Sequence, residues 1–462
     1  MTLVLALAAC GGPSGPPIPQ ATGVTPSVAE RGDTITVAGT GFGQDGTVTI
    51  GGAVATPTSW SDTSIEVQVP AGAANAWGDV EVVTAGGSTT VEDLFVGAEF
   101  EGAAAELQAF LDGLELGTAV LLQAQTYDLT AEPDEFIIDN RDIYGRGEAE
   151  TTILGPATGV LIVLADFGST LTIADLTIVG DDFTFFHGTV SDTILPTVAA
   201  AREPVPTTLE ALMERRWVVN EVGPAAVGRS NIQLQRFTFE ADAPGALIGN
   251  LGSNLPNVSL SLEDVTFDLP GGGLALVTNG DIEAQRTSVV ADMIQALTVT
   301  GAMSIVDSSV TVEGMAVYAA NDGLEVSQSE LRVTNGLQIM AGHANTLMGG
   351  STLPLGGPVT ITDSVIEVLD ADLADASDVG SFQVITQFAP ITLRGNPLIR
   401  THGDLTIVSI ESDLGEGDID LVGNLDMRVG VFEAEDAVNH RVSKLGIATN
   451  AASLRDRTTI SG

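Results

Sequence analysis

Between Leu274 and Gly336 the chain repeats itself. Three successive lines read LALVTNGDIEAQRTSVVADM, IQALTVTGAMSIVDSSVTVEGM and AVYAANDGLEVSQSELRVTNG. Each gives a short apolar strand, a turn with glycine, an alternating strand, a polar turn and a third strand. Arg286, Asp307 and Gln328 fall in one column, at steps of 21 and 21 residues. The column extends backward to Asp264 and Arg236 and forward to Asp363, at steps of 22, 28 and 35. A period in the low twenties with alternating apolar residues and no helical periodicity predicts a β-solenoid. A single coil cannot bury its own apolar face, so coils must stack on a shared core. Longer steps are loops growing out of a regular coil.

Charge narrows the partners. The chain carries 17 Lys+Arg against 61 Asp+Glu, a formal net charge of -44. Such a field repels nucleic acid and anionic lipid surfaces, so no nucleic-acid partner is expected. It fits a soluble extracellular protein and leaves room for cations such as Ca2+. Basic residues are almost all Arg, with Lys444 the only lysine. One Cys, Cys10, rules out an internal disulfide.

The first residues, MTLVLALAAC, hold an apolar run far shorter than the roughly 20 residues a membrane-spanning helix needs. The run reads as the apolar end of a secretory signal. Leu7-Ala8-Ala9-Cys10 resembles the lipobox of bacterial lipoproteins, which implies that Cys10 becomes the acylated first residue of the mature chain. Residues 11–22, rich in Gly and Pro, read as a flexible tether. An acyl anchor on such a stalk would hold the folded part at a membrane without spanning it.

From Gly23 short β segments follow one another, punctuated by glycine: Gly32 to Val37, Gly39 to Gly43, Val48 to Gly52, Ile65 to Pro70 and Gly78 to Thr84. Strands at this spacing predict a small β-sandwich over residues 23–97. The order of pieces, with ITVAGTGF near the start and IEVQVP later, resembles the IPT/TIG family of immunoglobulin-like domains. That resemblance implies a spacer or binding module of surface proteins. Trp60 and Trp77 are either sugar-stacking residues or packed members of the sandwich.

Ala103 to Leu111 has apolar residues at helical spacing, with Gly113 placed as its C-cap. Strand-like pieces follow at Gly117 to Leu122, Tyr127 to Leu129, Ile143 to Gly147 and Thr151 to Leu154. This opening resembles that of pectate-lyase-like right-handed parallel β-helix proteins, in which an amphipathic helix plugs the end of the coil. Gln125-Thr126-Tyr127 departs from the Gly-Thr-Tyr of that pattern. A plug has a physical purpose, because an open solenoid end presents bare strand edges. The resemblance bears on fold and leaves function open. Gly145-Arg146-Gly147 reads as a turn, since it lacks the strand-to-helix context of a phosphate loop.

Insertions between coils are where chemistry is expected. The longest gap in the repeat holds Asp181, Asp182, His187, Arg202, Arg215, Arg216 and Trp217. Thr207 and Glu210 are spaced as a capping box, predicting a short helix from Thr207 to Trp217. Arg215, Arg216 and Trp217 either grip an acidic sugar or neutralise neighbouring carboxylates. Gly180-Asp181-Asp182 and His187-Gly188 resemble two fragments of polygalacturonase signatures, enzymes that work through paired carboxylates. The companion motifs of that family are missing. Asp370, Asp372, Asp375 and Asp378 lie together in the 35-residue step and either chelate Ca2+ or form a solvated acidic loop. Along the column, Asp264, Arg286 and Asp307 should neutralise one another, since stacked strands are about 4.8 Å apart. His343 and His402 stand apart from other ligands, so a transition-metal site is not expected.

The sequence therefore predicts an all-β protein: a lipoprotein signal segment (1–10), the tether (11–22), an immunoglobulin-like β-sandwich (23–97), a long right-handed parallel β-helix with an N-terminal capping helix (98–430) and a C-terminal cap (431–462). The expected function is that of a cell-surface or periplasmic lipoprotein in adhesion, glycan contact or structural display, without catalysis and without a required cofactor. Its expected partners are the membrane, through Cys10, and polysaccharide or other surface proteins. The alternative is a polysaccharide lyase or glycoside hydrolase acting on an anionic polysaccharide, with Asp181, Asp182, His187, Arg215 and Arg216 at its site. A third reading is a calcium-dependent assembly module.

Overall fold

The computed structural model describes residues 15–115, 117–131, 135–139, 141–155, 160–164, 170–180, 185–187, 230–241, 245–249, 258–278, 280–298, 301–319, 322–341, 357–369, 381–387, 389–403, 405–410, 419–423, 427–429, 445–449 and 458–461. Cys10, Asp181, Asp182, Arg215, Arg216, Trp217, Asp370, Asp372, Asp375, Asp378 and His343 lie outside them. The chain divides into two compact units. One comprises Met1–Glu101, Thr118–Gln123 and Asp142–Tyr144, and the other Gly102–Gly117, Ala124–Arg141 and Gly145–Gly462.

The first unit contains the expected sandwich. One sheet pairs Gln20–Thr25, Thr34–Thr40, Ser64–Gln68 and Pro57–Trp60 in that spatial order. The facing sheet orders Val28–Ala29, Gly87–Val96, Ala76–Thr84, Thr47–Ile50 and Ala53–Ala55. Alternate residues of both sheets meet in a core that includes Ile35, Val37, Ile50, Ile65, Val67, Val80 and Val82, all fully buried. Burial of each such side chain contributes about 1.5–3 kcal/mol against the exposed chain. Trp60 is a packed residue: its indole N–H donates to the Phe42 carbonyl at 3.2 Å. Trp77 remains partly exposed and meets the edge of Phe95 at 5.4 Å. The same unit holds the parallel strands Ala98–Phe100, Ala119–Leu122 and Asp142–Tyr144. Gly97 is required there, because a Cβ would stand 2.3 Å from the Ala119 carbonyl oxygen.

The second unit is a parallel β-helix. It opens with the helix Ala104–Gly113, which buries Leu107 and Leu111 and lies against the strands Thr126–Asp128 and Glu135–Asp139. Glu106 closes its first turn by accepting the Ala103 N–H. Gly113 is the last helical residue rather than the cap; Leu114 takes that place, its N–H donating to the Leu111 carbonyl. Parallel pairing then runs coil to coil through Thr152–Leu154, Thr170–Gly180, Ser230–Ala241 and Val258–Thr278. Beyond these, each coil separates into three strands. A first strand such as Ile282–Gln285 leads to a second and a third that are continuous in Ser288–Thr298. The same order recurs in Met303–Val306 with Ser309–Ala319, and in Leu324–Ser327 with Glu330–Ala341. Within 431–462, Leu445–Thr449 pairs with Leu405–Ile410 and Thr458–Ser461 pairs with Ile419–Val422, so the ladder runs on through the last described residues.

The interior is built of stacked rows. Leu262, Ala284, Ile305, Val326, Ile361 and Leu393 succeed one another at one register, and Leu276, Ala296, Val317, Ile339, Val384 and Ile407 at another. All are buried. Where the rows narrow to Ala284 and Ala296, an apolar cavity of about 40 Å³ remains among Leu262, Leu276, Ile294, Met303 and Met315.

Candidate functional site

The repeating column has a conformational meaning. Asp175, Arg236, Asp264, Arg286, Asp307, Gln328 and Asp363 all have positive φ, between 44° and 59°, and Gly395 and Gly423 continue the series. This left-handed residue turns the chain from first strand to second. It costs an ordinary L-residue about 1–2 kcal/mol, which is why glycine or asparagine usually stands at such a place. Inter-coil hydrogen bonds hold it. The Arg286, Asp307, Gln328 and Asp363 N–H groups each donate to a carbonyl of the next coil at 3.0–3.1 Å. The residue that follows is buried and polar: Thr287, Ser308, Ser329, Ser364 and Asn396. Each N–H of this second row donates to the side-chain oxygen one coil further on, from Thr287 to Ser308, Ser329, Ser364 and finally Asn396, at 3.0–3.1 Å. The hydroxyls of Ser308, Ser329 and Ser364 donate in turn to the carbonyl two residues back.

At the Arg236 and Arg286 positions of this corner, charged side chains pair across coils. The Arg236 guanidinium binds both carboxylate oxygens of Asp175. Arg286 donates to Asp264 at 2.6 and 3.1 Å and to Glu263 at 2.6 Å. Hydrogen bonding from Arg286 holds the Asp264 carboxyl below the usual aspartate value. Glu148 lies beside this group, in the turn that Gly147 ties to the Asp175 carbonyl at 2.9 Å. Partial burial raises its pKa above the ordinary glutamate value. The Thr238 hydroxyl, 3.3 Å away, and Arg236 lower it, while Asp175 and Asp264 push it up. These contacts tie the turning points of consecutive coils to one another. Among the described residues no group of His, Cys, Asp or Glu side chains gathers as a metal site.

The outer face of the third strands is different. In register along it stand Ala275, Gln295, Ala316, Gln338, Gln383 and Thr406. Beside them runs a second row of Leu297, Tyr318, Met340, Ile385 and Val408. Their neighbours Ile294, Met315, Leu337, Phe382 and Leu405 are buried, so strand alternation puts these two rows on the opposite face; on it Gln338 is exposed and Gln383 and Thr406 are half-buried, while Ala275 and Gln295 are themselves buried. Neither row contains an ionisable side chain below the pH of tyrosine. The first-strand face by contrast carries Glu283, Glu325 and Asp420, and the second-strand face Glu240, Asp268, Arg332 and Glu367.

The third-strand face is also where the chain varies in length. First and second strands are joined by two residues in each of the coils at Arg286, Asp307, Gln328 and Asp363. The long connections instead leave from the ends of third strands: 188–229 after Phe185–His187, 342–358 after Glu330–Ala341, and 369–380 before Ser381–Gln387. His187 ends a strand in register with Val163. In sequence, Asp181 and Asp182 precede the third strand of one coil and Asp370 to Asp378 that of another, while Arg215, Arg216 and Trp217 follow the first of these. In the order of the chain these candidates fall in connections that begin or end at third strands. The uncharged rows themselves, which only the register reveals, were not anticipated from sequence. Their signal is the lack of Asp, Glu and Arg at every second position of the third strand.

Comparison with known proteins agrees with the sandwich. Residues 19–96 match the IPT/TIG domain family. A search of curated protein sequences returns no match. Among solved structures, the chain is similar to a gamma-CGTase from alkalophilic Bacillus clarkii, at 23% identity over 17% of this chain and a TM-score of 0.17. It spans 12% of the length of that protein. The mannuronan C-5 epimerase AlgE6 A-module of Azotobacter vinelandii is 14% identical over 78% of this chain and 95% of its own, with a TM-score of 0.31. A family 28 exopolygalacturonase of Yersinia enterocolitica is 10% identical over 92% and 99%, with a TM-score of 0.26.

Proposed function

We propose that the chain is a non-catalytic surface or envelope protein that contacts neutral glycan along the third-strand face. One observation carries this reading: in a chain of net charge -44, the described third strands from Gly273 to Ile410 keep two rows free of acidic and basic residues. Insertions of solenoid repeats tend to gather round the binding face, and here the longest connections begin or end at third strands. Glutamine amides and the Thr406 hydroxyl both donate and accept hydrogen bonds, as sugar hydroxyls require. Leu297, Met340, Ile385 and Val408 offer apolar contact for the C–H faces of sugar rings. The overall charge works against an acidic polymer. In this reading an acyl group on Cys10 anchors the chain and residues 11–22 act as its tether.

The test is a binding and cleavage screen with purified protein in which Cys10→Ser removes the acylation site. Neutral and acidic polysaccharides are offered with and without Ca2+. Binding of a neutral glycan, lost in Gln338→Glu and Gln383→Glu, is the expected result. Release of reducing or unsaturated ends would replace this reading with the enzymatic one and direct attention to Asp181, Asp182, His187, Arg215 and Arg216. A gain of thermal stability with Ca2+ would favour the acidic loop Asp370 to Asp378 as a cation site.

A further inference from the structure

Three interior rows lose volume in the same coil. At one register Ala284 stands between Leu262 and Ile305, at a second Ala291 between Leu269 and Val312, and at a third Ala296 between Leu276 and Val317. All of these side chains are buried. The coils on either side carry Leu, Ile or Val at every one of these positions, so the shortage belongs to the coil from Ile282 to Thr298. Its strands pair with both neighbours, which holds the rungs about 4.8 Å apart and keeps the walls from closing on the gap. The cavity of about 40 Å³ is the result.

The wall offers nothing to water. A buried water makes about three hydrogen bonds to polar groups that otherwise lack them, and an apolar cavity stays dry. Thr287 and Ser308 border the space, but their polar atoms are engaged in the corner row. The Thr287 N–H donates to the Ser308 hydroxyl oxygen at 3.0 Å, and the Ser308 hydroxyl donates to the Val306 carbonyl at 2.8 Å. The Thr287 hydroxyl is directed to the Gln285 carbonyl at 3.5 Å. Size narrows the guest further. One water needs about 10–15 Å³ and a cavity of about 150 Å³ admits benzene, so this space suits a molecule of about two to four heavy atoms.

We infer that the cavity is an internal binding site for a small uncharged apolar molecule of that size, such as a short alkane. A guest there gains the dispersion contacts that the three alanines leave unmade. Met303 and Met315, on the wall, are unbranched and adaptable, so they close on guests of differing shape and swing aside for entry. The site lies inside the coil and is independent of the glycan reading.

Xenon is the probe. The whole protein, labelled with carbon-13 in its methionine methyl groups, is titrated with xenon under pressure, with nitrogen at equal pressure as reference. The methyl signals of Met303 and Met315, assigned through Met303→Leu and Met315→Leu, should move saturably with xenon alone. That of Met340, on the outer face two coils further on, should hold still. Ala296→Val should abolish the movement; should it overpack, Ala284→Val fills the space from the first strand and should do the same. Xenon leaving both wall signals in place, an equal movement of Met340, an equal effect of nitrogen, or a response undiminished in the valine variant would overturn the inference. So would transfer of magnetisation from water to the Met303 or Met315 methyl, which would show a hydrated cavity.

Discussion

Arg286 and Asp264 stand one coil apart at the same left-handed corner, and the guanidinium of one closes on the carboxylate of the other at 2.6 Å. The Arg286 donors go backward, to Asp264 and Glu263, rather than forward to Asp307. This contact links two consecutive turning points of the helix. Both partners are partly solvent-exposed, at 37% and 42%, so it contributes modestly to stability.

The corner conformation predicts an unusual substitution pattern. Gln328 has φ of 52° and pays the penalty of an L-residue there. Gln328→Gly should be neutral to stabilising by up to about 1 kcal/mol, and Gln328→Val should destabilise by about 1–2 kcal/mol. Urea denaturation of both variants decides it; a stabilised valine variant would contradict the corner geometry.

The buried hydroxyl row should be sensitive to loss of a single oxygen. Ser329 accepts the Ser308 N–H at 3.1 Å and donates to the Ser327 carbonyl at 2.8 Å. Ser329→Ala leaves that N–H buried and unpaired, at a cost of about 1–3 kcal/mol. The same change at exposed Ser309, measured by the same denaturation, should fall within about 0.5 kcal/mol of the parent.

Glu148 makes stability depend on pH in a defined sense. Its folded pKa is raised, chiefly by burial, so the folded protein holds this proton more tightly than the unfolded chain. Its contribution is fully present below the ordinary glutamate value and is lost as pH rises through the folded pKa. Glu148→Gln should therefore melt higher than the parent at pH 7, and the difference should shrink on acidification. Asp264 acts oppositely: its stabilisation is complete above the ordinary aspartate range and lost as pH falls through its depressed folded pKa. Melting curves of Glu148→Gln and Asp264→Asn between pH 3 and 7 separate the two.

The apolar cavity predicts a gain. Ala296 and Ala284 face a space of about 40 Å³. Ala296→Val should fill part of it and add about 0.5–1 kcal/mol, as cavity-filling changes commonly do. A loss instead would show that the second methyl group overpacks against Met303 or Ile294.

Much of this architecture was legible in the sequence. Steps of 21 residues from Arg286 to Asp307 to Gln328 gave the coil, because stacked strands impose one register and leave length free to vary only in connections. The backbone meaning of the column was hidden, since Arg, Asp and Gln are poor signals for a left-handed turn that glycine would have announced. The Asp264–Arg286 half of the charge ladder was foreseen; the part played by Glu263, and the pairing of Arg236 with Asp175, needed coordinates. Gly113 was placed one residue beyond its role, a common error where a helix end frays into its cap. The uncharged face escaped notice because it is defined by residues 21 to 45 apart in sequence, such as Gln295, Ala316, Gln338 and Gln383, which become neighbours only through pairing.

The two-residue corner also bears on how such a chain can grow. Arg286-Thr287 and Asp307-Ser308 present the same backbone exits and the same buried oxygen to the coil that follows. A tandem duplication of the 21 residues from Arg286 to Val306 would thus add one rung of about 4.8 Å and leave every rung above and below with a compatible neighbour. Reach is then a matter of counting copies, altered by a genetic event that requires no compensating change in the core.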